Sequence, residues 1–327
     1  MLRVAITGAG GLGGRHAANF SQIPEATVTL VHDIDGARAQ ALAEQVGAEA
    51  TTDASALVSD DVDAIVVATP TPAHSEYVIM GAEAGKHVFT EKPMARTMAQ
   101  GRAMLDAVQA AGVTFMVGHV VRWFPAYAGA HEIITSGGIG EVAVARTARI
   151  NSHPKGTNGW FEDYAQSGGV TLDMTIHDLD WLLWTFGPVE RVYAVGCPER
   201  MPLLDYGLIT MRFASGVIGH AEGSWADLGA FRTNFDIAGS GGLLRHDSTQ
   251  MTTLTVQRRE SAEVRQGTQV PQSPAHTSPY LLEDRHFVEC ILSGRQPMVT
   301  GEEALAALEL ALAALQSIEA GGEVVQL

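Results

Sequence analysis

The chain has 327 residues, enough for about two domains with a sizeable core. Its 46% hydrophobic and 18% charged content excludes a disordered chain, and no apolar run approaches the ~18–20 residues of a membrane span. A net charge of −16 argues against nucleic acid or anionic membrane as partners.

Met1-Leu2-Arg3-Val4-Ala5-Ile6 enters a strand pattern at once, so the expectation is that there is no signal peptide. Cys197 and Cys290 stand alone, with neither metal-ligand spacing nor a disulfide framework. A reducing cytoplasm and the absence of a metal are the expectations. Only three of the 21 basic residues are lysines, Lys86, Lys92 and Lys155, so a lysine inside a turn motif attracts notice.

In the first part of the chain, short β-type runs alternate with Ala-rich helical stretches. The runs are Arg3–Thr7, Thr27–Val31, Ala64–Ala68, His87–Thr90 and Thr114–Val117. The helices expected between them are Arg15–Gln22, Ala37–Val46, Ser75–Ala84 and Met98–Ala111. Such alternation predicts βαβ units and a doubly wound parallel sheet, the Rossmann arrangement, over residues 1–120.

From residue 121 to 327 the texture changes. Glu141–Asn151, Arg191–Gly196, Gly207–Phe213, Val217–Trp225, Arg232–Gly239 and Gly242–His246 read as consecutive strands with few helices between them. That pattern predicts an α+β domain built on an open, mostly antiparallel sheet. Ala126–Thr135 and Ile176–Thr185 should cover one face. The polar stretch Arg258–Pro279 reads as a long surface loop, followed by helices Tyr280–Ser293 and Gly301–Ala320. A sheet covered on one side leaves apolar residues bare on the other, so a homodimer or homotetramer through this sheet is expected.

Four motifs carry chemistry. Gly8, Gly10, Gly11, Leu12 and Gly13 lie in a G-x-G-x-x-G loop between a strand and a helix, where backbone closely approaches a pyrophosphate at a helix N-terminus. Asp33, at the end of the second strand, is placed to hold ribose hydroxyls and favours NAD. Arg38 is a competing signal that leaves NADP open. Thr69-Pro70, with His74 close behind, follows the third clear strand at the edge where dinucleotides bind.

Glu91-Lys92-Pro93 ends another strand on the same edge. An ammonium there stabilises a developing alkoxide, and the proline restricts the lysine backbone. Further on, helical spacing puts Asp173 and His177 on one face, one turn apart. The imidazole suits proton abstraction from an alcohol, and the carboxylate suits a neighbouring hydroxyl or orientation of the ring. Helix capping by Asp173 and a core role for His177 are the structural alternatives. Asp178 and Asp180 should point elsewhere on the helix, solvated or capping.

These residues resemble the glucose-fructose oxidoreductase, inositol dehydrogenase and MocA-like family over essentially the whole chain. The markers are Gly8–Gly13, Ala68-Thr69-Pro70 with His74, Glu91-Lys92-Pro93, Gly118–Pro125, Gly168–Asp180, the His286-Phe287-Val288 helix and Gly294-Arg295-Gln296-Pro297. The resemblance implies a Rossmann domain, a second domain used for substrate binding and oligomer contact, and catalytic positions at Lys92, Asp173 and His177. It implies that Arg122 lies near nicotinamide or substrate, and that Glu91 belongs to the cofactor side of the Lys92 motif. Trp160 falls in a segment where substrate loops vary, a candidate for substrate contact.

The expected activity is reversible oxidation of a secondary hydroxyl of a cyclic polyol or sugar by NAD. A glycoside hydrolase that uses NAD without net redox, and a non-catalytic NAD-binding regulator, are the alternatives.

Overall fold

The computed structural model describes residues 1–197, 204–250, 254–258 and 277–327. The chain divides into two compact units, Met1–Val120 with Thr277–Leu308, and Val121–His276 with Glu309–Leu327.

The first unit contains β1 (Leu2–Thr7), α1 (Gly11–Phe20), β2 (Ala26–His32), α2 (Gly36–Val46), β3 (Glu49–Thr51), β4 (Ala64–Val67), α3 (His74–Glu83), β5 (His87–Glu91), α4 (Met98–Ala111) and β6 (Phe115–Gly118). The strands form one parallel sheet in the order β3-β2-β1-β4-β5-β6. This is the doubly wound dinucleotide-binding order, with the switch point between β1 and β4. Val4, Ala5 and Ile6 of β1 and all four residues of β4 are closed off from solvent, as a sheet covered on both faces requires. Helix α4 is a clear case of local encoding. Thr97 caps the Gln100 amide, the Gln100 side chain reaches back to Thr97, and Gly112 ends the helix in the left-handed region at φ +65°.

The second unit contains α5 (Pro125–Thr135), β7 (Val142–Ile150), α6 (Tyr164–Ser167), α7 (Gly169–Asp173), α8 (Ile176–Phe186), β8 (Val189–Gly196), β9 (Tyr206–Phe213), β10 (Ile218–Ser224), β11 (Arg232–Gly239), β12 (Gly242–Asp247) and β13 (Leu254–Arg258). Helices α9 (Pro279–Ser293) and α10 (Gly301–Glu319) and the short β14 (Val325–Gln326) complete the chain. Eight strands form a sheet in the order β13-β12-β11-β7-β10-β9-β8-β14. Every neighbouring pair is antiparallel except β7 and β10, which run parallel at the centre. The sheet is therefore mixed: the chain leaves β7 through three helices and a hairpin before returning beside it, the long crossover that parallel neighbours need.

One face of this sheet is buried, with Phe235, Ile237, Ile209, Met211 and Leu244 among its side chains. Trp181 of α8 stacks on Phe235 at 5.4 Å and donates its ring N–H to the Tyr127 carbonyl of α5. The other face carries Tyr193, Val195, Leu208 and Ile218, all exposed.

Two departures from the sequence reading concern the elements themselves. Helices α9 and the first half of α10, read as part of the second domain, cluster with the first unit. The reason is burial: Asp284 and Phe287 of α9 lie against His16 and Phe89. Helix α1 begins at Gly11, four residues before the expected start at Arg15. Glycine is a poor helix former, but here the first turn is built from it. Of the expected loop Arg258–Pro279, residues 259–276 lie outside the described residues. No helix among the described residues is long and apolar enough to cross a membrane.

Candidate active site

The glycine loop owes its form to close backbone approach. Gly8 has φ +94°, and a Cβ there would lie 2.6 Å from the Ala68 carbonyl group. A Cβ on Gly13 would collide with the Gly8 carbonyl oxygen. Gly11 differs, because a Cβ there would meet nothing within 4 Å. Gly10 caps α1 with extended backbone and no side-chain cap, and the first turn holds no acidic residue. Helix amides thus stand open where an anion would be held. Leu12 lies in the same turn, partly exposed.

Asp33 follows β2 and is 7% exposed. Its Oδ2 accepts the Ala9 N–H and its Oδ1 the Asp35 N–H, both at 2.8 Å. The Arg38 Nη2–H donates to Oδ1 at 2.7 Å. Burial pushes this carboxyl up, but hydrogen bonds from Arg38, Asp35 and Ala9 outweigh it and hold the group below the usual carboxylate range. Arg38 is thereby paired to the very carboxylate with which it competes as a signal.

After β4, Thr69 is half-buried and Pro70 exposed, and Pro70 opens a short 3-10 turn over Thr71–Ala73. His74 is almost wholly buried, with Nδ1 2.9 Å from the Pro93 carbonyl and Nε2 2.8 Å from the Thr69 carbonyl. Burial pulls this histidine below its usual value, against the Thr69 and Pro93 carbonyls, which raise it. His74 thus ties the segment after β4 to the turn after β5.

Glu91 closes β5 and is 4% exposed. One carboxylate oxygen faces His16 Nε2 at 3.0 Å and the other accepts the Lys92 N–H at 3.1 Å. Glu91 thus holds the Lys92 backbone. Lys92 is half-buried, and its peptide bond to Pro93 is cis. In a parallel sheet all strand ends of one sense share an edge. Lys92 therefore lies two strands from the glycine loop, about 10 Å at ~4.8 Å per strand.

In the second unit, Asp173 is the last residue of α7 and His177 the second of α8, both half-buried. Helix α8 starts at the expected Ile176, but the helical spacing assumed from Asp173 to His177 is interrupted between α7 and α8. Met174 has φ −105°, and the Thr175 hydroxyl and amide both turn back to the Val170 carbonyl, at 3.0 and 2.8 Å. Gly223 makes room for that hydroxyl, since a Cβ there would strike the Thr175 Oγ1. Gly168 caps α7 and Gly169 opens it, with φ +69° and +65°, and the Asp205 carboxylate accepts the Val170 N–H at 2.6 Å. Trp160 lies in a 3-10 turn over Thr157–Glu162, its ring 4.0 Å from Phe161. Phe161 packs against the core formed by Val170, Met174 and Trp225, so the Trp160 segment is anchored to α7.

Two expectations are corrected. Asp178 and Asp180, read as solvated or capping, are fully buried. Asp178 pairs with Arg149 at 2.6 Å, and Asp180 accepts both the Nε–H and Nη2–H of Arg122, at 3.0 and 2.7 Å. A buried carboxylate needs such a partner. Arg122, itself 2% exposed, also lies 5.1 Å over the Trp184 ring. The reading missed His16, Asn19 and Asp284 in the first unit: His16 meets both Glu91 and Asp284, Asn19 meets Asp284, and nothing in the sequence links positions 16 and 284. No cluster of metal-ligating side chains occurs among the described residues.

The glycine loop suits NAD. The first turn of α1 has no side-chain cap, a Cβ on Gly11 would meet open space, Asp33 follows β2, and the Thr69 hydroxyl is buried without a hydrogen-bond partner, a polar atom a bound group would satisfy. These features define a nucleotide-binding oxidoreductase fold. Residues 2–119 match the oxidoreductase family with NAD-binding Rossmann fold, and residues 127–245 match the GFO/IDH/MocA C-terminal domain. The chain belongs to the GFO/IDH/MocA oxidoreductase family. It is 30% identical to a myo-inositol 2-dehydrogenase of Thermotoga maritima, across 97% of this chain and 96% of the relative. It is 30% identical to a scyllo-inositol 2-dehydrogenase (NAD(+)) of Bacillus subtilis, across 98% of this chain and 95% of that one. The crystal structure of GenD2 from gentamicin A biosynthesis, in complex with NAD, superposes with a TM-score of 0.86 at 28% identity, covering 100% of this chain and 96% of that one.

Proposed function

We propose that this protein is an NAD-dependent dehydrogenase that oxidises one secondary hydroxyl of a cyclic polyol or sugar. The observation that carries the reading is Lys92 at the carboxyl edge of the sheet that bears the glycine loop, in a chain similar to inositol 2-dehydrogenases along nearly its whole length. Bound NAD supplies the hydride acceptor. His177 takes the hydroxyl proton, Lys92 stabilises the oxygen as negative charge develops, and Asp173 holds a neighbouring hydroxyl or orients the imidazole. Gly10 to Gly13 receive the pyrophosphate and Asp33 the ribose, with NAD preferred over NADP because Asp33 repels a 2′-phosphate. Trp160 serves the binding of substrate, whereas Arg122, expected near nicotinamide or substrate, is committed to the buried Asp180 carboxylate and braces the segment after β6.

The exposed face of the second sheet, with Tyr193, Val195, Leu208 and Ile218, supports a homodimer or homotetramer. Light scattering that finds a monomer at micromolar concentration refutes that assembly. Both cysteines are free thiols, which suits the cytoplasm.

The experiment is a screen at the NADH absorbance wavelength, with NAD or NADP against inositols and common sugars. Net NADH formation with one polyol supports the reading. Tight NADH binding with silence across a broad panel overturns it.

A further inference from the structure

Asp284, His16 and Glu91 form a buried line that ends at Lys92. His16 lies on α1 with no exposed surface. Its Nδ1 is 2.8 Å from Asp284 Oδ1 and its Nε2 is 3.0 Å from Glu91 Oε1. Asn19, on the same helix, donates to the second Asp284 oxygen at 2.7 Å. The second Glu91 oxygen accepts the Lys92 backbone N–H.

Ionised carboxylates only accept hydrogen bonds, so the His16 ring satisfies both neighbours only when both nitrogens donate. Burial opposes that charge, yet Asp284 and Glu91 together raise His16 well above its usual value. The line also has little room to relax. Phe89 meets the imidazole edge-on at 5.1 Å, and a Cβ on Gly118 would come within 3.3 Å of the Glu91 carboxyl.

We propose that His16 is a positioning residue for Lys92: by bridging Asp284 and Glu91 it fixes the carboxylate that holds the Lys92 peptide. The same bridge joins α1, whose first turn is the glycine loop, to the end of β5. Without the ring, two buried carboxylates lose the cation between them, which favours uptake of a proton by one or their displacement. A protonated or displaced Glu91 no longer holds the lysine peptide in one place. The role matters for catalysis through the reading of Lys92 given above, but the link itself is testable without any substrate.

With three lysines in the chain, reductive ¹³C-dimethylation yields three side-chain NMR signals, assigned by Lys86→Arg and Lys155→Arg. In His16→Gln the Lys92 signal should move while those of Lys86 and Lys155 stay. Asp284→Asn, which keeps the shape of the partner, should also move it, and it decides the matter if His16→Gln does not fold. A Lys92 signal unmoved in the folded variants overturns the proposal. Once a substrate is found, His16→Gln should lower kcat by roughly 10- to 100-fold, the scale of a small misplacement, with the KM for NAD nearly unchanged. Equal losses in stability and NAD binding with kcat intact would mark a purely structural histidine. Full turnover by Lys92→Ala would instead sink the catalytic reading and leave the link standing.

Discussion

Arg149 donates to Asp178 at 2.6 Å with both side chains sealed from solvent, fastening β7 to α8 one residue after His177. Removing one partner of a buried pair leaves an uncompensated charge, which costs about 3–5 kcal/mol. Asp178→Ala should therefore lower thermal stability sharply. An apolar double replacement, Arg149→Met with Asp178→Leu, should lose much less. Equal unfolding temperatures for Asp178→Ala and the unmodified protein would refute this account.

Asp33 and Arg38 predict cofactor choice. Asp33→Ala removes the acceptor for the ribose and leaves the Arg38 guanidinium paired to Asp35 alone. Hydrogen bonds to charged groups are worth ~1.5–3 kcal/mol, so NADH affinity should fall roughly 10- to 100-fold. NADPH should lose less or gain. Fluorescence titration with both nucleotides measures the ratio, and an unchanged ratio would remove Asp33 from the selectivity argument.

The glycine loop separates folding from binding. Gly11→Ala has open space around the new methyl and should leave the unfolding temperature nearly unchanged while weakening NADH binding. Gly13→Ala meets the Gly8 carbonyl and should disturb the loop itself, with loss of both stability and binding. Identical behaviour of the two variants would contradict the geometry.

Lys92→Ala and His177→Ala should each cut turnover by about 10²–10⁴-fold, the usual span of general acid–base catalysis. NADH binding should stay within a few-fold of normal. Stopped-flow turnover with the polyol found in the screen, alongside equilibrium titration, tests both parts.

The His16 bridge also makes stability depend on pH. His16 is raised in the folded state, so its contribution is whole below the unfolded histidine value of ~6.5 and is lost as pH climbs through the raised value. For Glu91, burial raises the carboxyl, but His16 and Lys92 bring it below its usual value. Its contribution is whole above the unfolded value of ~4.3 and is lost as pH falls through the lowered one. The stability gap between the unmodified protein and His16→Gln should be widest from about pH 4.3 to 6.5 and narrow on either side. Chemical denaturation across that range checks it, and a gap independent of pH would show that the ring is not charged.

Much of the first unit could be read directly. The apolar runs of β1 and β4 and the capped helix α4 obey local rules, and α4 spans the expected residues. The strands β3 and β14 went unread, because three and two residues are too short to carry a period. The break between Asp173 and His177 was hidden for another reason. It depends on Thr175 turning back to Val170 in space that Gly223 leaves open, and Gly223 belongs to a strand far along the chain.

By itself the sequence determined the parallel sheet, the glycine loop, the acid after β2 and the residue types able to do hydride-transfer chemistry. Period, propensity and turn residues are local properties, and the chain states them openly. Only the tertiary structure decided which charges are buried and what they hold. Asp178, Asp180, His16 and Asp284 look like ordinary polar residues along the chain. Each became a buried, partnered group when folding brought an opposite charge or a donor from a remote segment, since an unpaired charge could not remain there.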